Sequence, residues 1–192
     1  VEKLSCMGSE LAQNMPLTLS IGSYKVIASY GKEHDADKNE FYIEGTTAGT
    51  IKSGSQNEPA IVVCTPTCGR ISVLFDTEMS KYFSDYSVDF NGTKALGSKT
   101  ISWTKSDTEP WYVKLEEKGE TITFTINATA KEEYSSSGTW SGTFELLRNK
   151  AYKVNVKPSP VAPGTGNIDL EISIDQTTNN IEKDIEVPVT WI

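Results

Sequence analysis

An all-β sandwich, arranged as two small sandwich domains, is the fold this sequence predicts, on three observations. Apolar and polar residues alternate with period two along most of the 192 residues, the pattern of strands that bury one face. Turn residues interrupt that alternation roughly every 8–12 residues, the spacing of short antiparallel strands. One element also occurs twice: Leu17-x4-Gly22-x-Tyr24-Lys25-Val26 and Leu147-x4-Tyr152-Lys153-Val154 each set a leucine, a turn and a Tyr-Lys-Val strand in order. That duplication places a boundary near Thr65–Thr67, giving an N-terminal β domain over residues 1–66 and a C-terminal β-sandwich over 67–192.

The elements follow in order. Leu17–Leu19 leads to Gly22, and Tyr24–Ala28 reads as a strand. Glu33–Asn39 is a polar loop, and Phe41–Ile43 and Thr50–Lys52 are short strands. Ile61–Cys64 is apolar on both faces, whereas Ile71, Val73 and Phe75 alternate with Ser72, Leu74 and Asp76. A short helix is expected over 77–83, capped by Asp76 or Thr77 with Glu78 in its first turn. Two turns are marginal alone, so that helix needs Met79 and Phe83 packed on a sheet. Strands resume at Tyr86–Phe90, Thr100–Trp103 and Trp111–Leu115. Thr121–Ile126 has the cleanest alternation, and Thr139–Leu147 and Ala151–Val156 follow. Pro158–Gly166 is a Pro/Gly loop, Ile168 to Ile174 alternate with acidic and polar residues, and Ile185–Trp191 closes the chain.

A net charge of −8 with no Lys/Arg cluster argues against nucleic acid, which is bound by a basic face. No apolar run approaches the ~18 residues of a membrane span. Val1-Glu2-Lys3 has no apolar signal segment behind it, so the chain is either cytosolic or already trimmed of its targeting sequence.

Cys6, Cys64 and Cys68 leave one cysteine odd. A Cys64–Cys68 bridge closes a five-residue loop and contributes about 2 kcal/mol in the chain-entropy model. It requires a reversal through Thr65-Pro66-Thr67, since four extended residues span roughly 13 Å and a disulfide tolerates about 7 Å between Cα atoms. Two reduced cysteines packed as small apolar residues, and a pairing with Cys6, are the alternatives.

No catalytic residue is expected, and no metal or cofactor. His34 is the only histidine, which excludes a multi-histidine metal centre, and it sits in a polar loop with no nucleophile-elbow pattern. Asp35-x-Asp37-x-Asn39 has the start of a calcium-loop spacing, but Glu40 stands where the turn needs glycine and Thr46 where a bidentate glutamate belongs. Glu116-Glu117 and Glu132-Glu133 are adjacent carboxylates, and adjacent positions on a strand point to opposite faces, so neither pair reads as an acid/base dyad. Trp103, Trp111, Tyr112 and Trp140 are candidates for a sugar-stacking platform or for core packing. Asn91-Gly92-Thr93 and Asn127-Ala128-Thr129 are formal glycosylation sequons.

Three stretches carry a family resemblance. They are Leu19-Ser20-Ile21-Gly22-Ser23-Tyr24-Lys25-Val26-Ile27-Ala28, the segment from Cys64 to Ser72 continued by Phe75–Val88, and the ending Ile168–Ile192 with its Asn179-Asn180 turn and Val187-Pro188-Val189-Thr190-Trp191-Ile192. Together they resemble the Bacteroidetes cell-surface proteins grouped as the DUF4493 family, themselves similar to fimbrillins and fimbrial anchor proteins. The resemblance covers nearly the whole chain, and its middle stretch is the most distinctive. It implies a transthyretin-like, Greek-key β-sandwich, export to the cell envelope at the outer-membrane surface, and a lipid anchor that this chain does not carry. Cys6 follows Leu4-Ser5, but Lys3 and the missing apolar segment make it a poor lipidation site. The family has no established catalytic residues to carry over. The expected function is a non-enzymatic surface module, adhesive or fimbria-like. Its partners would be other surface or fimbrial proteins added as strands at a sheet edge. The candidate edge is Ile185, Val187, Val189 and Trp191, blunted by Pro188. The alternative is a carbohydrate-binding module with glycans as partners.

Overall fold

The computed structural model describes residues 19–53, 60–136, 139–160, 167–178 and 183–187. The strands are β1 (Gly22–Tyr30), β2 (Ala36–Asp37), β3 (Ile43–Ile51), β4 (Ala60–Pro66), β5 (Cys68–Phe75), β6 (Phe83–Asn91) and β7 (Ile101–Thr104). They continue with β8 (Trp111–Lys114), β9 (Glu120–Ala130), β10 (Ser135–Ser136), β11 (Trp140–Leu146), β12 (Lys150–Pro160), β13 (Asn167–Thr178) and β14 (Lys183–Val187). The one helix among the described residues is α1 (Met79–Tyr82). The protein is all-β, and none of its described helices is long and apolar enough to cross a membrane.

The chain divides into two compact units. The first holds a four-stranded sheet in the order β1-β3-β4-β14. The second holds a six-stranded sheet, β10-β13-β12-β5-β8-β2, and a four-stranded sheet, β11-β9-β6-β7. One break lies at Thr65/Pro66, and the units are not contiguous: Gly31–Tyr42 belongs to the second and β14 to the first. The physical reason is pairing. β2 hydrogen-bonds to β8, and β14 hydrogen-bonds to β4, so sheet partners are drawn from distant parts of the chain.

The second unit is a two-sheet sandwich with one apolar core. In β9, Ile122, Phe124 and Ile126 point inward and are buried, while Thr121 and Asn127 are exposed. Register sets Val88 of β6 opposite Ile126 and Phe90 opposite Phe124, so apolar side chains meet across the ladder. Ile71 and Val73 of β5, Tyr152, Val154 and Val156 of β12, and Ile168 and Leu170 of β13 fill the same core from the other sheet. Each fully buried residue of this kind contributes about 1.5–3 kcal/mol.

The helix is one turn, shorter than the 77–83 expected. Asp76 accepts the Glu78 N–H at 2.8 Å, and Met79 is fully buried. Phe83 ends the turn because its backbone is extended, at φ −118° and ψ 137°, and starts β6. Met79 and Phe83 both enter the core, as the need for tertiary packing demands.

Between β11 and β12, Asn149 is the one non-glycine among the described residues with positive φ, 55°, and its N–H donates to the Cys68 carbonyl at 3.0 Å. Left-handed backbone costs an ordinary L-residue roughly 1–2 kcal/mol, less for Asn, and nothing for Gly. Asn149→Ala is therefore expected to destabilise the second unit by about 1 kcal/mol and Asn149→Gly to leave it near wild type, read from denaturation midpoints.

Candidate interaction surface

In the first unit, β4 has β14 as its outer neighbour, antiparallel, with Lys183 opposite Cys64, Ile185 opposite Val62 and Val187 opposite Ala60. β14 is the end strand on this side of the sheet among the described residues. Two residues of the expected edge, Ile185 and Val187, therefore lie on an end strand, and Val189 and Trp191 fall outside the described residues.

The apolar run Ile61–Cys64 splits by face. Val62 and Cys64 are buried, whereas Ile61 and Val63 are 57% and 50% exposed. Ile21 and Ile27 are also exposed, as is Tyr30. Among the described residues, five of the six exposed large apolar side chains thus belong to the first unit, Leu74 being the sixth. Sequence reasoning missed Ile61 and Val63, because a strand apolar at every position carries no signal for which face is covered.

Gly45 of β3 is where β4 comes close. A Cβ there would sit 2.1 Å from the Val63 carbonyl oxygen and 2.9 Å from Val62 Cγ1. The Cys64 thiol donates to the Ala28 carbonyl at 3.4 Å.

Of the alternatives for Cys64 and Cys68, the bridge is not formed, and both thiols are free and buried. β4 runs to Pro66 and β5 starts at Cys68, so only Thr67 separates two extended strands and no reversal brings the sulfurs together. Burial pushes the Cys64 thiol up, with the Glu44 charge adding to it, and pushes Cys68 up to about 11. Both therefore stay protonated at neutral pH and are poor nucleophiles.

The other candidates lie in the second unit and do not converge. His34 Nε2 is 2.8 Å from Glu40. Asp37 accepts the N–H groups of Asn39 and Glu40 at 2.7 and 2.9 Å, which hold its carboxyl below the usual range, and Asp35 pairs with Lys99 at 3.2 Å. The aspartates of the calcium-like spacing are thus engaged in a turn and an ion pair. No three His, Cys, Asp or Glu side chains among the described residues are grouped to hold a metal ion.

The aromatic platform is not assembled. Trp103 is buried in the core on β7. Trp111 on β8 donates its indole N–H to the Ser102 carbonyl at 3.1 Å, and Trp140 on β11 donates to Asp169 at 2.5 Å while packing edge-on against Phe83. Tyr112 stacks on Phe41 instead. Apolar rings in a strand pattern mostly go to the core, and nothing local marks the exceptions.

A shallow depression of about 190 Å³ is lined by Asp35, Lys94, Lys114, Leu115, Glu116 and Glu120. Its acids are already matched. Lys94 bonds Glu116 at 2.8 Å and holds that carboxyl below the usual range, while Glu120 accepts the backbone N–H groups of Lys94 and Glu116 at 2.5 and 2.8 Å. A general acid needs its pKa raised, the opposite of what Lys94 does. At the sequons, Thr93 is buried and the Asn127 amide donates to Asp89 at 2.7 Å.

Comparison with known proteins adds three findings. The model of a family described as a domain of unknown function, DUF4493, matches residues 3–189. No curated protein matches the chain. Two solved structures are similar. One is a candidate cell adhesion protein of Bacteroides uniformis, 12% identical, covering 83% of this chain and 74% of that one with a TM-score of 0.38. The other is a candidate cell adhesion protein of Parabacteroides distasonis, 11% identical, covering 80% of this chain and 66% of that one with a TM-score of 0.29.

Proposed function

We propose that this chain, which belongs to the DUF4493 family, is a non-enzymatic, exported surface module that binds other proteins through its first unit. The observation that carries this reading is the gathering of exposed aliphatic side chains on that unit, with Ile61 and Val63 on the strand next to the end strand β14. Exposed apolar side chains of this kind are buried by association, and an end strand offers unpaired backbone groups to an incoming one. The finer form of the reading is fimbria-like: an extended segment of another surface protein adds beside β14, at the outer surface of the cell envelope. The charged depression of the second unit, with its acids matched to lysines and backbone amides, supports binding over catalysis.

The test is association of the purified, full-length mature protein, followed by sedimentation across a concentration series. Self-association or capture of a surface partner is expected. Replacing Ile61 and Val63 together by glutamate is expected to weaken it by about tenfold or more, since each half-buried aliphatic contributes on the order of 1 kcal/mol. A protein that stays monomeric and binds no envelope protein would overturn the reading.

A further inference from the structure

The six-stranded sheet of the second unit turns one face to the core: Ile71 and Val73 of β5, and Tyr152 and Val154 of β12, are buried there. Alternation and register then fix the other face. Arg70 lies opposite Tyr112 of β8 on one side and Ala151 of β12 on the other, and Ser72 lies opposite Lys153. Leu74, next in the row along β5, is 54% exposed on the same face.

Arg70 is the unusual member. Its Nε is buried without a hydrogen-bond partner, and its guanidinium meets no carboxylate among the described residues. A buried donor left unpaired is costly and rare, and an arginine fork is the shape that pairs with a carboxylate. Lys153 is a second cation on this face, exposed and without an ion pair among the described residues. Asp175, opposite Lys153 in the β13 ladder, accepts the Asn155 amide at 2.8 Å instead. Strand spacing sets Arg70 and Lys153 roughly 8 Å apart at Cα. The other charged groups of the face are matched. Asp37, opposite Tyr112, accepts the N–H groups of Asn39 and Glu40, and Lys114 pairs with Glu33 at 2.8 Å. In a chain of net charge −8, two neighbouring unpaired cations invert the local sign.

We propose that this face binds an acidic polysaccharide, with the Arg70 fork on one uronate carboxylate and Lys153 on the carboxylate of a neighbouring sugar. The surroundings favour a sugar over an acidic peptide. At Arg70, β5 is hydrogen-bonded on both sides, to β8 and to β12, so its backbone has nothing to offer an incoming strand. Recognition there falls to side chains. Beside the fork stands the Tyr112 ring, braced by Phe41 at a centroid distance of 5.1 Å, and beyond Ser72 stands the exposed Leu74. Apolar and aromatic surface with a few placed polar groups is the make-up of a small-ligand site, and it suits the C–H face of a sugar ring whose carboxylate reaches a cation. Ser72 donates its hydroxyl to the Tyr152 carbonyl at 3.3 Å and adds no charge. The site lies in the second unit and is independent of the exposed aliphatic side chains of the first.

The experiment is calorimetric titration of the full-length protein at low salt. The probes are an oligogalacturonate, a hyaluronan oligosaccharide, a neutral galactan of matched length and an oligoglutamate peptide. At least one uronate is expected to bind, and the galactan and the peptide are not. Arg70→Lys is expected to weaken uronate binding about tenfold, since a point charge replaces the fork. Lys153→Met is expected to weaken it about threefold, as for a more exposed charge. Arg70→Met keeps an apolar stem and is expected to abolish binding while Tm stays at the wild-type value or rises, because the unpaired donor leaves with the charge. Binding of neither uronate, equal binding of the galactan or the peptide, or binding that survives Arg70→Met overturns the site. A clear fall in Tm on Arg70→Met overturns it too, since the guanidinium would then be holding the fold. Replacing Ile61 and Val63 by glutamate is expected to leave uronate binding unchanged, so this site and the surface of the first unit fail separately.

Discussion

Gly45→Ala is expected to open the first unit and leave the second folded. The added Cβ would fall 2.1 Å from Val63 O and 2.7 Å from Val63 C, both backbone atoms. A flexible side chain could turn aside, but a carbonyl in a ladder cannot, so β3 or β4 must shift. Overpacking of this kind costs typically 1–3 kcal/mol, and the backbone clash puts this case near the upper end. About 3 kcal/mol raises a local opening constant by roughly a hundredfold. The two cysteines among the described residues report it: Cys64 of the first unit is buried against Ala28, and Cys68 of the second is buried in β5. With thiol labelling resolved by peptide mass, the Cys64 rate is expected to rise by about two orders of magnitude while Cys68 stays slow. Equal acceleration at both cysteines, or none at Cys64, would sink the argument.

Phe83→Ala is expected to be the most damaging single truncation in the second unit. Phe83 is 1% exposed, joins α1 to β6, and meets Trp140 edge-on at a ring distance of 6.4 Å. Loss of a buried phenylalanine costs about 3–5 kcal/mol in transfer and cavity together. For a unit of this size that lowers Tm by roughly 10 °C or more. Ser84→Ala, next in sequence but exposed, is the control and should stay within about 0.5 kcal/mol. Calorimetry with Trp140 emission as a local probe checks both. A Tm within a few degrees of wild type for Phe83→Ala would show that the core refills the site.

Local pattern carried the strands well and their partners poorly. The alternation of Thr121–Ile126 lies within β9, which runs on to Ala130, and Met79 and Phe83 enter the core. Period two says that a segment is extended and which residues share a face, but not which distant strand it pairs with. That is why Glu33–Asn39 read as a free polar loop although it holds β2 and is fastened by Lys114 and Lys99. It is also why the contiguous division at residue 66 misses the exchange of β14 into the first unit. The cysteine spacing permitted a hairpin staple, yet only a turn would have closed it, and both flanking segments are strand. For the interaction surface, the exposure of Ile61 and Val63 was not legible, because a run apolar at every position does not mark its covered face.

The pairing of β14 with β4 has a consequence in time. A chain made, or threaded across a membrane, from its N-terminus presents β4 long before residues 183–187 exist to cover it. Contacts of such wide sequence separation form late, because the intervening loop must first lose its freedom. Both sheets of the second unit draw all their strands from residues 36–178, so that unit is complete before β14 emerges. The first unit is then sealed by the last described strand, and until that moment the outer edge of β4, whose other edge pairs with β3, is an open template for any extended neighbour.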